Sequence, residues 1–206
     1  VGDRSKMKQS VSGNFDITAP GNVPGALTAA TGLVNSGAKS DVTLPATLSF
    51  SAYLQLDSRW SLMTDITRTN WSALPELRIK FDSGQADSVV TLNLIDTYRF
   101  SVGATYKANN SWVFRGGIAQ DQSPTTSAAD RTPRLPDSDR TWYTVGAGLQ
   151  ATPALSFDFG YAYIKLDSSS VNKTAAPGTE NFLRGNLNAS YTGTVQVLSA
   201  QARWVF

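Results

Sequence analysis

Apolar and polar residues alternate along most of this chain with a period of two. The alternation is clearest from Tyr98 to Lys107, where every second residue is apolar and the residues between them are polar or small. It returns from Trp112 to Ala119, with Val113 as the one exception on the polar side. Successive side chains of a β-strand point to opposite faces. The pattern therefore predicts two strands, each with an apolar face and a polar face.

Asn109 and Asn110 lie between these two strands. Asparagine tolerates the positive φ of a tight hairpin turn, so we expect a hairpin with that geometry here. The apolar face of the first strand has a tyrosine near each end, Tyr98 and Tyr106. An aromatic residue at each end of an apolar stripe is what the two interfaces of a membrane require. The hairpin therefore favours an apolar face that meets lipid over one that meets a soluble core.

The same alternation recurs along the chain and predicts eight strands. In the third strand the apolar stripe moves from even to odd positions near Pro75, which indicates a bulge there. The predicted strands lie within residues 6–17, 41–56, 60–81, 88–107, 112–119, 140–149, 155–163 and 198–206.

The connections between these strands alternate between long and short. The long ones are residues 18–40, 82–87, 122–138 and 167–189, whereas short turns follow the second, fourth and sixth strands. All short turns therefore fall at one end and all longer loops at the other, as in outer-membrane β-barrels. A sandwich with Greek-key connections has no reason to keep this asymmetry. The chain is thus predicted to be all-β, an antiparallel transmembrane β-barrel of about eight strands.

Four aromatic residues mark the end at which the short turns lie. Trp60 and Trp112 follow short turns, Trp204 lies near the chain end and Phe206 is the last residue. Aromatic residues are enriched at membrane interfaces, so these four are predicted to form a periplasmic belt. A terminal phenylalanine on an amphipathic strand also looks like the signal that outer-membrane assembly machinery reads. That machinery is therefore an expected partner.

Composition excludes several classes of function. The 206 residues carry a net charge of +2, evenly spread, which does not favour nucleic-acid binding. The absence of cysteine excludes disulfides and thiolate metal sites, and the absence of histidine removes the commonest general base and zinc ligand. No apolar run is long enough for a membrane helix. We therefore expect no catalysis, no metal and no cofactor.

Four blocks of the sequence resemble a known family. Their order and spacing are similar to the C-terminal part of the FadL/TodX-type long-chain fatty-acid transporters of the Gram-negative outer membrane. The resemblance implies a fourteen-stranded barrel, plugged by an N-terminal hatch, that takes up fatty acids or other hydrophobic compounds and releases them laterally into the membrane. The blocks are Arg4–Asp16, Leu44–Ser72, Asp96–Pro124 (DTYRFSVGATYKANNSWVFRGGIAQDQSP) and Leu135–Ile164.

Residues 1–206 have no counterpart of that hatch, with its Asn-Pro-Ala start, or of the early strands. The first residues also lack the charged and apolar regions of a signal peptide, so an exported protein with this start is expected to be mature or a fragment. We therefore expect one barrel segment that supplies about eight strands to the C-terminal part of a larger barrel.

Charged residues fall on the predicted inward faces. A fatty-acid carboxylate in a water-poor lumen needs a cationic partner, and a guanidinium group offers it bidentate hydrogen bonds. Arg99 and Arg140 are the first candidates for this head-group site, because each lies on an aromatic-bearing strand, and Arg115 is the third. The other interpretation is that the arginines pair with acidic residues in a solvated lumen. The inward charges are Lys6, Lys8, Asp65, Arg99, Arg115, Arg140, Asp158 and Arg203.

Three hypotheses about function stay open at this point. In the first, the chain belongs to an outer-membrane transporter that passes long-chain fatty acids or other hydrophobic compounds by passive diffusion, in contact with outer-membrane lipid. The alternative is a small, complete eight-stranded barrel with a structural or adhesive role, since eight strands can close around a side-chain-filled interior. The third is a soluble secreted β-sandwich that binds a partner.

Overall fold

A computed structural model gives the fold and describes residues 2–5, 7–17, 25, 32–134, 136–182 and 184–206. No helix in these ranges is long and apolar enough to cross a membrane. A short 3-10 helix, Trp71–Ala73, interrupts the strands. The strands are β1 (Gly2–Arg4), β2 (Met7–Phe15), β3 (Ser36–Leu44), β4 (Thr47–Gln55), β5 (Trp60–Thr69), β6 (Glu76–Phe81), β7 (Ser88–Thr91), β8 (Thr97–Lys107), β9 (Trp112–Asp121), β10 (Arg140–Thr152), β11 (Leu155–Lys173) and β12 (Leu187–Trp204).

The strands form two antiparallel sheets, ordered β1-β4-β5-β8-β9-β10-β11-β12 and β2-β3-β6-β7. The register runs unchanged from the Gly2–Ser49 pair to the Met7–Leu44 pair, so the smaller sheet continues the larger one. Pro45 lies between these two pairs and has no backbone N–H to donate. The first eight strands therefore join in pairs into four long passes, and β9 to β12 add four more. The predicted eight strands are confirmed as eight passes of the chain.

The third pass contains an irregularity where the sequence predicts a bulge. Thr47 pairs with Thr69, whereas Lys39, eight residues earlier, pairs with Lys80, eleven residues later. The third pass therefore holds three extra residues, which the helix Trp71–Ala73 takes up. Because three is an odd number, the residues beyond the helix change face, which explains why the apolar stripe changes parity.

Two predicted loops are shorter than the sequence pattern indicates. β3 begins at Ser36, inside the predicted loop 18–40, and β11 and β12 reach Lys173 and Leu187, inside the predicted loop 167–189. These strand ends are largely polar on both faces, so no apolar stripe marks them, yet their backbone groups pair across the ladder. Residues 18–24 and 26–31 of the first loop lie outside the described residues.

Side chains close the two short turns that precede Trp60 and Trp112. The Oδ1 atom of Asp57 accepts hydrogen bonds from the backbone N–H groups of Arg59 and Trp60, both at 2.7 Å. The Oδ1 atom of Asn109 accepts the equivalent bonds from the second and third residues after it, at 2.9 and 2.8 Å. An acidic or amide side chain at the same place therefore shapes both turns.

The expected positive φ at Asn109 and Asn110 is wrong. Among the non-glycine residues that the structure describes, Asn93 alone has φ in the left-handed region, at 47°. The turn spans more than the two residues of the tightest hairpins, because Lys107 and Val113 are the last paired residues. A longer turn does not need the left-handed backbone, and the Asn109 side chain supplies the hydrogen bonds instead.

The two faces of the larger sheet differ as the alternation predicts. On the apolar face, Phe50 and Val145 each leave 61% of their surface exposed, and Val102 leaves 51%. A large apolar face without a covering layer is expected to meet lipid rather than water. This arrangement argues against the soluble sandwich, whose apolar faces would form a core. In the described part of the chain the buried apolar side chains are Leu92, Ala119, Ile164 and Val171.

The larger sheet is open. β1 pairs with β4 and β12 pairs with β11, and no pairing among the described residues joins these two edges. β12 presents an edge of 18 residues. Such an edge is unfavourable in a bilayer, because its backbone N–H and C=O groups have no water to bind. The open edges argue against a complete eight-stranded barrel.

Replacing Asp57 tests how the first turn is closed. Asp57→Ala removes the acceptor for two backbone N–H groups, whereas Asp57→Asn keeps it, as Asn109 does in the second turn. We expect the alanine variant to unfold at a lower urea concentration than the wild type at pH 7, and the asparagine variant to remain close to the wild type. The measurement is urea unfolding of the detergent-solubilised protein.

The pH dependence provides the control. The backbone N–H groups of Arg59 and Trp60 lower the pKa of Asp57. A lowered pKa contributes stability above the pKa of the unfolded chain, and this contribution is lost as the pH falls through the folded-state pKa. The difference between wild type and Asp57→Ala should therefore shrink as the pH falls below the pKa of about 3.9 of an unperturbed aspartate. A difference that stays constant from pH 7 to pH 2 would contradict this account.

Candidate ligand site on the inner face

Glycines form the floor of a hollow on the inner face of β8 to β11. Gly103 lies opposite Gly117, and Gly146 lies opposite Gly160, so two cross-strand pairs present no side chain. The hollow above them, called here the glycine hollow, has a volume of about 440 Å³. This volume lies within the range of ligand pockets in proteins. A ligand can approach the backbone here because no Cβ atoms rise from the floor.

Larger side chains surround the glycine hollow. Met63 and Thr144 line its sides, Arg99 and Trp142 lie at the end nearer the long loops, and Arg115 lies at the end nearer the short turns. The hollow therefore combines a backbone floor with a cation at each end. Such a space suits a narrow ligand with one charged group.

Arg99 binds an aromatic ring rather than a carboxylate. Its guanidinium carbon lies 5.2 Å from the centroid of the Trp142 ring, which is a cation–π distance. No salt bridge of up to 4.0 Å joins Arg99 to a carboxylate among the residues that the structure describes. Asp65 instead accepts hydrogen bonds from the hydroxyl groups of Ser51 and Thr67, at 2.7 and 2.8 Å. The N–H donors of Arg99 are thus available to an anionic ligand.

Arg115 is paired. Its Nη1 atom lies 2.9 Å from Oδ1 of Asp158, and both side chains are about half exposed. Gly148 makes room for this pair, because a Cβ atom there would lie 2.9 Å from the same Oδ1 atom. The interpretation that inner arginines pair with acidic residues therefore holds for Arg115.

Arg140 is also paired. Its Nη2 atom lies 3.0 Å from Asp137 and its Nε atom lies 3.6 Å from Asp121. The Nε atom of Arg140 and the Nε1 atom of Trp142 are nevertheless buried donors without a hydrogen-bond partner. They lie two residues apart on the same face of β10. Because a buried donor without a partner is costly, an acceptor on a ligand is favoured in this region.

The long loop between β9 and β10 is tied to the sheet by Arg131, which is buried. Arg131 donates hydrogen bonds to the backbone carbonyl groups of Asp137 and Ser170, both at 2.7 Å, and of Thr125 at 3.0 Å. These bonds fix the backbone that carries Asp137, the partner of Arg140. The loop therefore helps to hold Arg140 in place.

A carboxylate of the same loop makes a second connection. Asp130 accepts hydrogen bonds from the Ser127 hydroxyl at 2.6 Å and from the Asn93 amide at 2.7 Å. The Ser127 hydroxyl, with a smaller contribution from Asn93, lowers the pKa of Asp130. Asp130 therefore keeps its charge at neutral pH and joins this loop to the loop that precedes β8.

The remaining predicted inner cations do not line the glycine hollow. Lys8 lies on β2 and Arg203 on β12, which form edges of the two sheets. Lys6 lies outside the described residues. No group of three or more acidic side chains in the described ranges could hold a metal ion.

The four predicted belt aromatics all lie at the short-turn end of the sheet. Trp60 is opposite Tyr106, with ring centroids 4.6 Å apart. Trp112 is 37% exposed, Trp204 is 75% exposed and Phe206 is fully exposed. Their positions fit an interfacial belt. The belt itself, and the reading of Phe206 by assembly machinery, stay predictions.

The sequence analysis gave no role to Trp142 and missed the glycine hollow. A signal was present, because Gly103, Gly117, Gly146 and Gly160 all fall on inward positions of the alternation. Two glycines form a bare patch only when the register places them side by side, however, and the register follows from the strand pairing.

The whole chain matches one protein family. The family described as "Outer membrane protein transport protein (OMPP1/FadL/TodX)" matches residues 1–206. The chain is 35% identical over 162 residues to outer membrane protein P1 of Haemophilus influenzae, covering 78% of this chain and 35% of that protein. It is 30% identical over 173 residues to the long-chain fatty acid transport protein of Escherichia coli (strain K12), covering 82% of this chain and 39% of that protein. The chain thus spans less than half the length of these relatives.

Solved structures share the fold. The crystal structure of a Pseudomonas aeruginosa FadL homologue matches with a TM-score of 0.87 and 28% identity, over 98% of this chain and 47% of that one. The P. putida toluene transporter TodX matches with a TM-score of 0.56 and 18% identity, over 84% of this chain and 38% of that one, which shows the fold alone. These matches confirm the predicted fold class and the family resemblance. The relatives are named as outer membrane or transport proteins.

The two glycines of one cross-strand pair should respond differently to alanine. A Cβ atom at Gly146 would lie 3.1 Å from the backbone oxygen of Phe159, whereas a Cβ atom at Gly160 would lie 2.6 Å from the hydroxyl of Ser199, which can rotate away. We expect Gly146→Ala to lower the free energy of unfolding by roughly 1–3 kcal/mol. Gly160→Ala should stay within about 1 kcal/mol of the wild type. Urea unfolding in detergent measures both, and equal losses would contradict the packing described here.

Proposed function

The chain belongs to the OMPP1/FadL/TodX family of outer membrane transport proteins, and from this premise we propose that it forms part of a barrel that carries long-chain fatty acids or other hydrophobic compounds across the outer membrane. The observation that supports a fatty acid most directly is Arg99, an inner-face guanidinium beside the glycine hollow that lies opposite Asp121 but makes no salt bridge within 4.0 Å among the described residues.

In this proposal Arg99 binds the carboxylate of the ligand. The Trp142 ring holds the guanidinium by one face, so its N–H groups can still donate bidentate hydrogen bonds. The buried Nε1–H group of Trp142 is a further donor on the same inner face. Arg140 and Arg115 are weaker candidates, because Asp137, Asp121 and Asp158 already bind their charges.

The glycine hollow takes the part of the ligand next to the head group. Its floor of Gly103, Gly117, Gly146 and Gly160 offers backbone and no side-chain bulk. An acyl chain has no polar group that must be satisfied, so a smooth surface lets it slide without breaking hydrogen bonds. Passive diffusion along such a surface needs no catalytic group, metal or cofactor.

We further propose that these eight passes are the C-terminal part of a larger barrel, as the family resemblance implies. The early strands of that barrel would pair with the open edges at β1 and at β12, and the N-terminal hatch would lie within the lumen. The supporting observations are the open sheet and the short coverage of the relatives, 35% and 39% of their lengths. Neither observation favours the alternative, a closed eight-stranded barrel with a structural or adhesive role.

Arg99→Ala tests the head-group site. We expect the variant to bind a long-chain fatty acid roughly 10- to 100-fold more weakly, since a hydrogen-bonded charge is worth roughly 1.5–3 kcal/mol. Its affinity for a neutral hydrocarbon of the same length should not change, because that ligand has no carboxylate. Equilibrium binding of the two radiolabelled ligands to the detergent-solubilised protein measures the difference.

Lys107→Ala is the matched control. Lys107 lies on the same strand and on the same face as Arg99, but at the short-turn end of β8. This control should bind the fatty acid as the wild type does. If Arg140→Ala lost the acid and Arg99→Ala kept it, the head-group site would lie at Arg140 instead. If neither ligand bound to the wild-type protein, the transport proposal would fail.

A further inference from the structure

A row of polar side chains crosses the outer, lipid-facing side of four neighbouring strands. Gln120 on β9 lies opposite Thr141 on β10, Thr141 lies opposite Lys165 on β11, and Lys165 lies opposite Thr194 on β12. Direct cross-strand partners lie side by side on one face of a sheet. The four residues therefore form a continuous polar row on a face that is otherwise largely apolar.

The row marks the outer boundary of the apolar band. Tyr143 and Tyr163, the next outward residues toward the short turns, lie opposite each other with ring centroids 6.4 Å apart. Val145 and Tyr161 follow in the same direction. Tyrosine rings beneath a polar row are typical of a membrane interface. Lys165 therefore lies at the level of lipid head groups on the long-loop side.

Lys165 has an unpaired charge at this level. Its side chain is exposed, and no salt bridge joins it to a carboxylate in the part of the chain that the structure describes. Arg68 is also on the outward face of its strand, but its Nη2 atom lies 2.8 Å from Asp96. Lys165 is thus an outward cation that, among the described residues, makes no salt bridge within 4.0 Å.

An apolar hollow begins at the polar row. This outer hollow has a volume of about 320 Å³. Gln120 and Thr141 lie at its polar end, where the Thr141 hydroxyl donates a hydrogen bond of 2.8 Å to Gln120. The remainder is mostly apolar and exposed, with Phe100 and Ile118 at 46% and 44% exposure. The lining residues are Thr64, Phe100, Val102, Ile118, Gln120 and Thr141, with the backbone of the two residues between them.

The outer hollow lies away from both open edges of the sheet. It is formed by β5, β8, β9 and β10, with β4 and β1 on one side and β11 and β12 on the other. Strands added at β1 or at β12 would therefore leave it uncovered. It also lies on the opposite face from the glycine hollow, so a ligand in transit would not occupy it.

We propose that this surface binds one anionic, phosphate-bearing lipid of the outer leaflet. The acyl chain lies in the outer hollow against Phe100, Val102 and Ile118, and the phosphate lies beside the ammonium group of Lys165. The polar row supplies hydrogen bonds at the level of the head group. Charge complementarity selects this lipid over a zwitterionic one, because Lys165 has no protein carboxylate to neutralise it.

The proposal is tested with two lipids that share their acyl chains and differ in the head group, one anionic and one zwitterionic. The detergent-solubilised protein is mixed with phosphatidic acid or with phosphatidylcholine of identical acyl chains, and retained lipid is counted by native mass spectrometry. We expect the wild type to retain phosphatidic acid at least fivefold more than phosphatidylcholine. Lys165→Gln should remove this preference, and 0.5 M NaCl should reduce it in the wild type.

Two further variants separate charge from shape. Lys107→Gln removes a cation from the inner face at the other end of the sheet and should keep the preference. Val102→Trp fills the outer hollow and should lower the retention of both lipids, with folding checked by the heat-dependent shift on gels. Equal retention of the two lipids by the wild type, or an unchanged preference in Lys165→Gln, would overturn the proposal. Complete displacement of phosphatidic acid by 10 mM inorganic phosphate would show a site for a free anion and not for a lipid.

Discussion

The structure depends on one constraint, which is that a backbone N–H or C=O group placed in lipid must find its partner within the protein. Between the open edges at β1 and β12 the antiparallel ladder satisfies it along the passes, and its irregular parts do so locally. At the extra turn in the third pass, the N–H group of Asn70 donates to the carbonyl of Ala46 at 2.9 Å, and that of Leu74 donates to Trp71 at 2.9 Å. With the backbone satisfied, the side chains are left to divide between a lipid face and an inner face.

Of the three candidate arginines on the inner face, two are paired with carboxylates and the third is held in another way. Arg115 and Arg140 each form a salt bridge with an aspartate, as expected for charges that are partly removed from water. Arg99 is held by the face of an aromatic ring. A ring stabilises the cation without occupying its N–H donors. This distinction between paired and ring-held arginines is the reason that the proposed head-group site is placed at Arg99.

Strands β5, β8, β9 and β10 contribute to a hollow on each face of the sheet. Gly103 and Gly117 leave the inner side bare, and the outward residues beside them, Ala104 and Gly116, form a cross-strand pair with almost no side chain. Few side-chain atoms therefore cover the backbone at these positions, and larger side chains surround them. The glycine hollow thus has a floor of backbone, whereas the outer hollow is lined by larger side chains such as Phe100 and Ile118 and does not include the Ala104–Gly116 pair. The two spaces stay separate because the backbone ladder between them is continuous.

The sequence by itself determined the strands, their faces and the end at which the short turns lie, because a period of two is a local property that needs no knowledge of neighbours. Prediction from the sequence failed where neighbouring residues in the chain show no such pattern. The strand ends at Ser36 and at Lys173 are polar and have no apolar stripe. The turn at Asn109 is closed by the asparagine side chain and not by a left-handed backbone. The tertiary structure alone decided which inner residues meet. Arg99 contacts a tryptophan on another strand, Arg115 contacts an aspartate, and four glycines form one floor. Each of these contacts depends on the strand register, because a shift of one residue would move every side chain of a strand to the other face.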